Sequence, residues 1–142
     1  MNRDDNLREI QRRITEAKGY TQITEGVVAV GVEWPAASNW LSGTLHADEG
    51  PTLIPRWPWD WCAAGDLVAE MRADSDYNGL DVGEIQRQTG FRCALWLAQD
   101  DGRDCEFSGK SSEPAEAIAR CWCAWKGIDL SDMSPNTEVE PR

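Results

Sequence analysis

Apolar and charged residues alternate with the period of a helix in the first part of the chain. Between Asp4 and Lys18 an apolar residue returns every three or four positions, and arginines and glutamates lie between. This pattern predicts an amphipathic helix. Asp4 and Asp5 suit the positive end of its dipole, and Gly19 can end it. The apolar positions are Leu7, Ile10, Ile14 and Ala17.

Two later segments have the same period. Residues 60–72 carry one apolar stripe, and Asp60 at the start of this segment suits an N-cap. Gly65 weakens this helix by about 1 kcal/mol relative to alanine, so we expect another element to pack closely against it. A third helix is predicted over residues 112–126, with proline in its first turn and Gly127 at its end. Its wide apolar arc predicts that it is mostly buried.

Runs of β-branched and apolar residues predict strands between the first two helices. Residues 27–32 and 39–45 are each interpreted as one strand, with Pro35 in the connection. Residues 48–58 are predicted to be irregular, because one glycine and three prolines interrupt any long element there.

A hairpin is predicted before the last helix. The apolar run Phe91–Ala98 leads into a turn at residues 99–102, which contains an Asp-Gly pair, and residues 103–107 form the return strand. Residues 74–83 are interpreted as a polar loop. Residues 80–87 fit either a loop or a short strand.

Together these elements predict one α+β domain over residues 1–130, with three helices and a small antiparallel sheet of about four strands; that the sheet packs between the helices is implied by the family resemblance given below. A β-rich and tryptophan-rich segment is inserted at residues 21–58. Residues 131–142 lack an apolar pattern and contain two prolines, so they are predicted to be a disordered tail.

Tryptophan is the residue that says most about function. Eight tryptophans in 142 residues are more than one small core can bury. Three of them lie between residues 57 and 61 among prolines and charged side chains, which predicts a binding surface or, alternatively, a plug at one end of the fold. We expect Trp96, Trp122 and Trp125 in the core. The predicted binding residues are Arg56, Trp57, Trp59, Asp60, Trp61 and Asp66.

Negative charge is concentrated in the later part of the chain. Residues 1–46 hold five basic and six acidic side chains, whereas residues 47–142 hold nine and nineteen, for a net charge of −11. Such a field repels phosphate, so we expect no direct binding to a nucleic-acid backbone. It suits a basic partner or a mimic of nucleic acid, and it also serves solubility. We find no signal peptide and no apolar run of about 18 residues, so we expect a cytoplasmic protein that binds no membrane.

Cysteine and histidine are the candidate metal ligands. Cys121 and Cys123 would point in different directions on a helix, and no C-x-x-C pair completes a site with His46. We therefore expect no metal and no cofactor, and we interpret the five thiols as buried and inert. His46 is also the only histidine that could act as a base, and the chain has no glycine-rich phosphate loop and no H-E-x-x-H motif. We predict that the protein is not an enzyme.

Three stretches carry a resemblance to a known family. They are Ile14–Tyr20 at the end of the first helix, Pro58–Met71 at the entry to the alanine-rich second helix, and Ser112–Arg120 after the strand pair. With these stretches the chain resembles the phage ABA sandwich domain, a family of small phage-encoded proteins. The resemblance implies helices on both sides of a small antiparallel sheet and a phage or prophage origin, and it implies no reaction. The chain departs from the family in its long segment between Tyr20 and Pro58, where we expect any specialised function.

Two kinds of binding fit these observations. The first is an accessory protein in the host cytoplasm that inhibits a host protein or counters host defence, with the acidic surface and the tryptophan cluster as its contact patch. The alternative is a protein that sequesters a small nucleotide-like ligand by tryptophan stacking, with phosphate held by Arg56, Arg92 or Arg103. Exposed indoles also predict a homo-oligomer, for which strand 27–32 offers an edge.

Overall fold

The computed structural model describes residues 3–25, 27–29, 32–34, 41–85 and 90–133, and side chains within residues 4–24, 41–85 and 90–133. Three helices accompany antiparallel sheets in this part of the chain, so the predicted α+β fold is confirmed. The helices are α1 (Arg3–Ala17), α2 (Trp61–Arg72) and α3 (Pro114–Trp125). The strands, more numerous than the expected four or so, are β1 (Thr21–Glu25), β2 (Val27–Ala29), β3 (Val32–Trp34), β4 (Leu41–Thr44), β5 (Thr52–Leu53), β6 (Tyr77–Glu84), β7 (Phe91–Ala98) and β8 (Asp104–Ser111).

All three predicted helices are present, with the predicted start signals. A carboxylate oxygen of Asp60 accepts a hydrogen bond from the backbone N–H of Cys62 at 2.9 Å, which caps α2. Pro114 occupies the first turn of α3, where its missing N–H costs no helical hydrogen bond. The interpretation of Gly65 was wrong: nothing lies within 4 Å of the position that a Cβ would take there. Gly65 is an exposed helix residue rather than a point of close packing.

The sheet β6-β7-β8 packs against α3 and forms one side of the core. Its predicted hairpin is confirmed, with β7 paired to β8 from Phe91↔Ser111 to Ala98↔Asp104. Gly109 on β8 lets α3 approach closely, because a Cβ at this position would lie 2.5 Å from the carbonyl oxygen of Ala117. The core on this face of the sheet is continuous with α2 and α3, and its β7 members are Cys93 and Leu95.

The predicted polar loop at residues 74–83 is wrong, because most of it belongs to strand β6. This strand pairs along β7 from Tyr77↔Leu97 to Glu84↔Phe91. Glycine and aspartate weaken its intrinsic strand preference, but Leu80 and Val82 pack against the core. Pairing with β7 and burial of these two side chains therefore override the local sequence.

The inserted segment differs from the prediction in its strands. Residues 27–32 do not form one strand: β2 and β3 pair antiparallel to each other, with Ala29 opposite Val32. Strand β4 confirms part of the predicted strand 39–45, and Pro35 lies outside the described residues. A short strand, β5, interrupts the segment 48–58 and pairs with β4, which also pairs with β1.

The C-terminal segment after α3 packs on α1. The guanidinium of Arg13 donates two hydrogen bonds to the carboxylate of Asp132, at 2.9 and 2.6 Å, and one to the backbone oxygen of Asp129 at 2.7 Å. Met133 is buried. Residues 131–133 thus belong to the folded part, contrary to the predicted tail, whose residues 134–142 lie outside the described ranges.

The thiols are buried only in part as predicted. Cys93, Cys121 and Cys123 are buried, whereas Cys105 is half-buried and Cys62 is exposed. Burial raises the pKa of Cys123 to about 12. The neighbouring thiol of Cys121, together with burial, raises the pKa of Cys93. The raised pKa values hold the thiols of Cys93 and Cys123 in the unreactive protonated form.

Candidate functional site

The tryptophan-rich segment spans the loop that joins β5 to α2 and the first residue of α2, and its three rings have different environments. Trp57 is 2% exposed and belongs to the core. Trp59 is half-buried, and the guanidinium carbon of Arg56 lies 4.4 Å from the centroid of its ring. Trp61 is 60% exposed in the first turn of α2. The expected surface cluster is therefore divided, because one ring fills the core while another faces solvent.

The loop is held in this arrangement by α1 and by its own turn. The amide nitrogen of Gln11 in α1 donates a hydrogen bond to the backbone oxygen of Pro55 at 2.9 Å. The backbone oxygen of Arg56 accepts from the N–H groups of Trp59 and Asp60, at 3.0 and 2.9 Å. These bonds direct Trp57 inward and lead the chain into the cap of α2.

An open cleft of about 400 Å³ lies where the end of α1, this loop, α2 and α3 meet. Its volume is within the range of small-molecule sites in proteins, about 300–1,000 Å³. Trp57 and Trp122 are nearly fully buried, so they contribute its floor. The lining residues are Ala17, Lys18, Tyr20, Leu45, Pro55, Trp57, Asp66, Glu70, Trp122 and Lys126.

Lys18 contacts residues on three sides of the cleft. Its ammonium nitrogen lies 5.3 Å from the ring centroid of Trp57 and 5.3 Å from that of Trp122. The same nitrogen forms an ion pair with the carboxylate of Glu70 on α2. A cation over two indole faces with a carboxylate beside it is a stabilising arrangement, because each ring presents negative charge to the ammonium.

The rest of the cleft carries one further ammonium and one further carboxylate. Lys126, exposed at the C-terminal end of α3, places its ammonium 4.0 Å from the ring centroid of Trp125 and 5.7 Å from that of Trp122. Asp66 on α2 is also exposed. Burial raises the pKa of Tyr20, so its hydroxyl stays neutral near pH 7. Formal charge in the lining thus balances, with two ammonium groups and two carboxylates.

The structure brings together only some of the predicted site residues. Trp57 and Asp66 both line the cleft, whereas Arg56, Trp59, Asp60 and Trp61 do not. The exposed residues Asp60 and Trp61 stand together at the start of α2, as the sequence requires.

The arginines proposed to hold phosphate do not converge on the cleft. Arg92 pairs with Glu106 across β7 and β8 at 2.8 Å. Arg103 is exposed next to the turn of that hairpin, and Arg56 stacks on Trp59. None of the three lines the cleft, so the expected set of phosphate contacts is absent from it.

The prediction that Trp96 belongs to the core is not supported. Trp96 is half-buried and lies opposite Glu106 and Gly79 in the sheet. The ion pair of Arg92 with Glu106 lies on this same face, by the alternation of side chains along a strand. Trp96 therefore belongs to the face of the sheet opposite Cys93 and α3. Trp122 is buried and Trp125 packs against the core, as predicted.

Sequence reasoning missed Lys18, Tyr20, Glu70 and Lys126 as site residues. The pair Trp122 and Lys126 had a local signal, since residues four apart on a helix lie on one face. The approach of Lys18 to Trp57 and Trp122 had none, because it joins segments far apart in the chain.

The described ranges contain neither a cluster of metal ligands nor a helix that could span a membrane. They contain no group of three His, Cys, Asp or Glu side chains that could hold a metal ion. His46 is exposed after β4, while Cys121 and Cys123 are buried in α3. None of the helices described here is long and apolar enough to cross a bilayer.

Comparison with family models, with curated proteins and with solved structures gives no match to this chain. The resemblance to the phage ABA sandwich domain therefore stays a prediction from the three sequence stretches that carry it.

Proposed function

We propose that the protein acts by binding a basic partner protein, and that it catalyses no reaction. Its role would be that of a phage or prophage accessory factor in the host cytoplasm, which inhibits a host protein or counters host defence. The phage origin depends on the sequence resemblance. The observation that carries the binding role is the 60% exposure of Trp61 at the start of α2.

Trp61 offers a large apolar ring that a partner can cover. Exposed apolar surface rimmed by polar side chains is typical of interaction sites, and tryptophan is enriched among the residues that dominate binding energy. The outer face of α2 also carries several small residues, since Cys62, Gly65 and Ala69 are exposed there. A partner can therefore approach the backbone of α2 closely and cover Trp61.

Charge on the same helix determines which partner fits. Asp60 and Asp66 are exposed close to Trp61 in the sequence of α2, and the whole chain carries a net charge of −11. A basic surface would be attracted to this face, while a phosphate backbone would be repelled. Association should therefore be fast at low salt and should slow as ionic strength rises.

The test compares complexes captured from bacterial host lysate by four tagged proteins: the wild type, Trp61→Ala, Asp66→Lys and Asp100→Lys. Asp100 is an exposed residue of the β7–β8 turn, so its reversal makes the same charge change away from α2. We expect one polypeptide that the wild type and Asp100→Lys retain and that Trp61→Ala and Asp66→Lys lose. Retention of the same polypeptides by all four, or of none by the wild type, would contradict the proposal.

A further inference from the structure

We propose that the cleft between α1, α2 and α3 is a second, separate site, which binds an uncharged nitrogen heterocycle of the nucleobase class. This inference does not depend on the proposed protein partner. Its ligand would lie in the open part of the cleft, beside the Lys18 ammonium that covers Trp57 and Trp122, whereas the partner would cover Trp61, which does not line the cleft. Asp66 lines the cleft and also belongs to the proposed partner surface, so Trp61→Ala is the variant that separates the two proposals.

The shape of the cleft favours a flat, compact ligand. Its volume of about 400 Å³ exceeds what one side chain would fill, and it is open to solvent on one side. Tyr20, Leu45 and Pro55 offer exposed or half-exposed apolar surface as walls, above the buried floor of Trp57 and Trp122. A planar ring can lie against these walls and lose apolar contact with water.

The polar groups favour a ligand with both donors and acceptors and with no net charge. Lys126 and Asp66 are exposed groups of the lining, one a donor and the other an acceptor. Lys18 and Glu70 already neutralise each other within the cleft. Neither a phosphate nor a cationic ligand would gain a net attraction, because each would meet two carboxylates as well as two ammonium groups. The edge of a nucleobase, which alternates acceptors with N–H donors, matches this set without a charge penalty.

This reasoning separates the cleft from a nucleotide site held by arginines. If the base alone provides recognition, phosphorylation of the ligand adds nothing and brings its charge near Asp66 and Glu70. The nucleoside should therefore bind at least as tightly as its 5′-phosphate. A site that recognises phosphate would show the opposite order.

The experiment titrates the full-length protein with adenosine, guanosine, cytidine and uridine in turn, and then with the 5′-monophosphate of the tightest binder. The readout is the set of indole N–H signals in a ¹H–¹⁵N correlation spectrum. Trp57→Phe and Trp122→Phe assign the two floor residues. We expect at least one nucleoside to shift both signals, with a Kd below about 1 mM.

Three variants test the placement of the ligand. Lys126→Met removes a polar contact and should raise Kd about tenfold, the effect of losing one charged hydrogen bond. Ala17→Phe places a ring into the cleft from the exposed end of α1 and should abolish binding. Lys110→Met, on the exposed side of β8, is the matched control and should leave Kd unchanged. A far-ultraviolet circular dichroism spectrum like that of the wild type is required of each variant.

The proposal is overturned if no nucleoside shifts the two signals at about 1 mM. It is also overturned if the monophosphate binds about tenfold more tightly than the nucleoside, or if Ala17→Phe binds as the wild type does. None of these outcomes bears on the capture of a protein by Trp61, so the two proposals fail independently.

Discussion

Replacement of Gly109 by alanine tests whether β8 and α3 pack as closely as the structure shows. An added Cβ would lie 2.5 Å from the carbonyl oxygen of Ala117, 2.5 Å from the backbone nitrogen of Cys121 and 2.6 Å from the Cβ of Arg120. Favourable contacts between such atoms need about 3.5 Å, so α3 would have to move by about 1 Å. Two of the three contacts involve backbone, which cannot rotate away. The change therefore strains the helix that carries Trp122 and Lys126.

The expected loss of stability is the cost of overpacking minus the stabilisation that alanine gives by restricting the unfolded chain. Overpacking of a close contact costs about 1–3 kcal/mol, and three simultaneous contacts place this site at about 3 kcal/mol. Alanine restricts the unfolded chain and returns about 0.5–1 kcal/mol. We expect Gly109→Ala to lower the free energy of unfolding by about 2 kcal/mol. Gly65→Ala, where nothing lies within 4 Å, should raise it by about 0.5–1 kcal/mol.

Urea unfolding followed by tryptophan fluorescence and by circular dichroism measures both changes in one series. Because the two variants make the same chemical change, an opposite sign isolates the effect of the contact with α3. A Gly109→Ala protein as stable as the wild type would refute the packing of α3 on β8. A destabilised Gly65→Ala protein would refute the assignment of Gly65 to an open helix surface.

Two further changes test the site and the C-terminal segment. Lys18→Met removes the ammonium over Trp57 and Trp122 and should lower the free energy of unfolding by about 1 kcal/mol in urea titrations. Lys18→Arg keeps a cation there and should retain most of this stability. A Lys18→Met protein as stable as the wild type would show that these contacts contribute nothing. The hydrogen bonds from Arg13 lower the pKa of Asp132 in the folded protein, so this contribution to stability is present above the pKa of an unfolded aspartate, about 3.9, and is lost as pH falls through the lower folded value. The difference in unfolding free energy between the wild type and Asp132→Asn should therefore be larger at pH 7 than near pH 3, and an equal difference at both would count against the contact.

Local patterns were sufficient to predict the helices and the hairpin. The periodicity of Leu7, Ile10 and Ile14 describes a face that α1 does bury. Asp60 and Pro114 mark helix starts through bonds or restrictions within a few residues, which sequence alone contains. The same holds for the Asp-Gly turn between β7 and β8.

Elements that depend on distant partners could not be predicted. Strand β6 contains Gly79 and Gly83, and only its pairing with β7 makes it a strand. The burial of Trp57 depends on Gln11, which anchors the loop at Pro55 from α1. Local composition alone indicated an exposed cluster, and it was right for Trp61.

The candidate site shows the same division. Trp61 on the proposed partner surface and Asp66 in the cleft were both predicted from composition, because tryptophan close to charged residues is visible in the sequence. The cleft was not predicted, since Lys18 and Trp122 meet across the fold. Their contact depends on how α1 and α3 pack together.

Native mass spectrometry of the protein isolated from bacterial host lysate tests the proposed binding function most directly. We predict a complex of one chain with a host polypeptide, which dissociates as salt is raised and which Trp61→Ala does not form. A bare monomer, or an oligomer of this chain alone that Trp61→Ala also forms, would contradict a function in partner binding through α2.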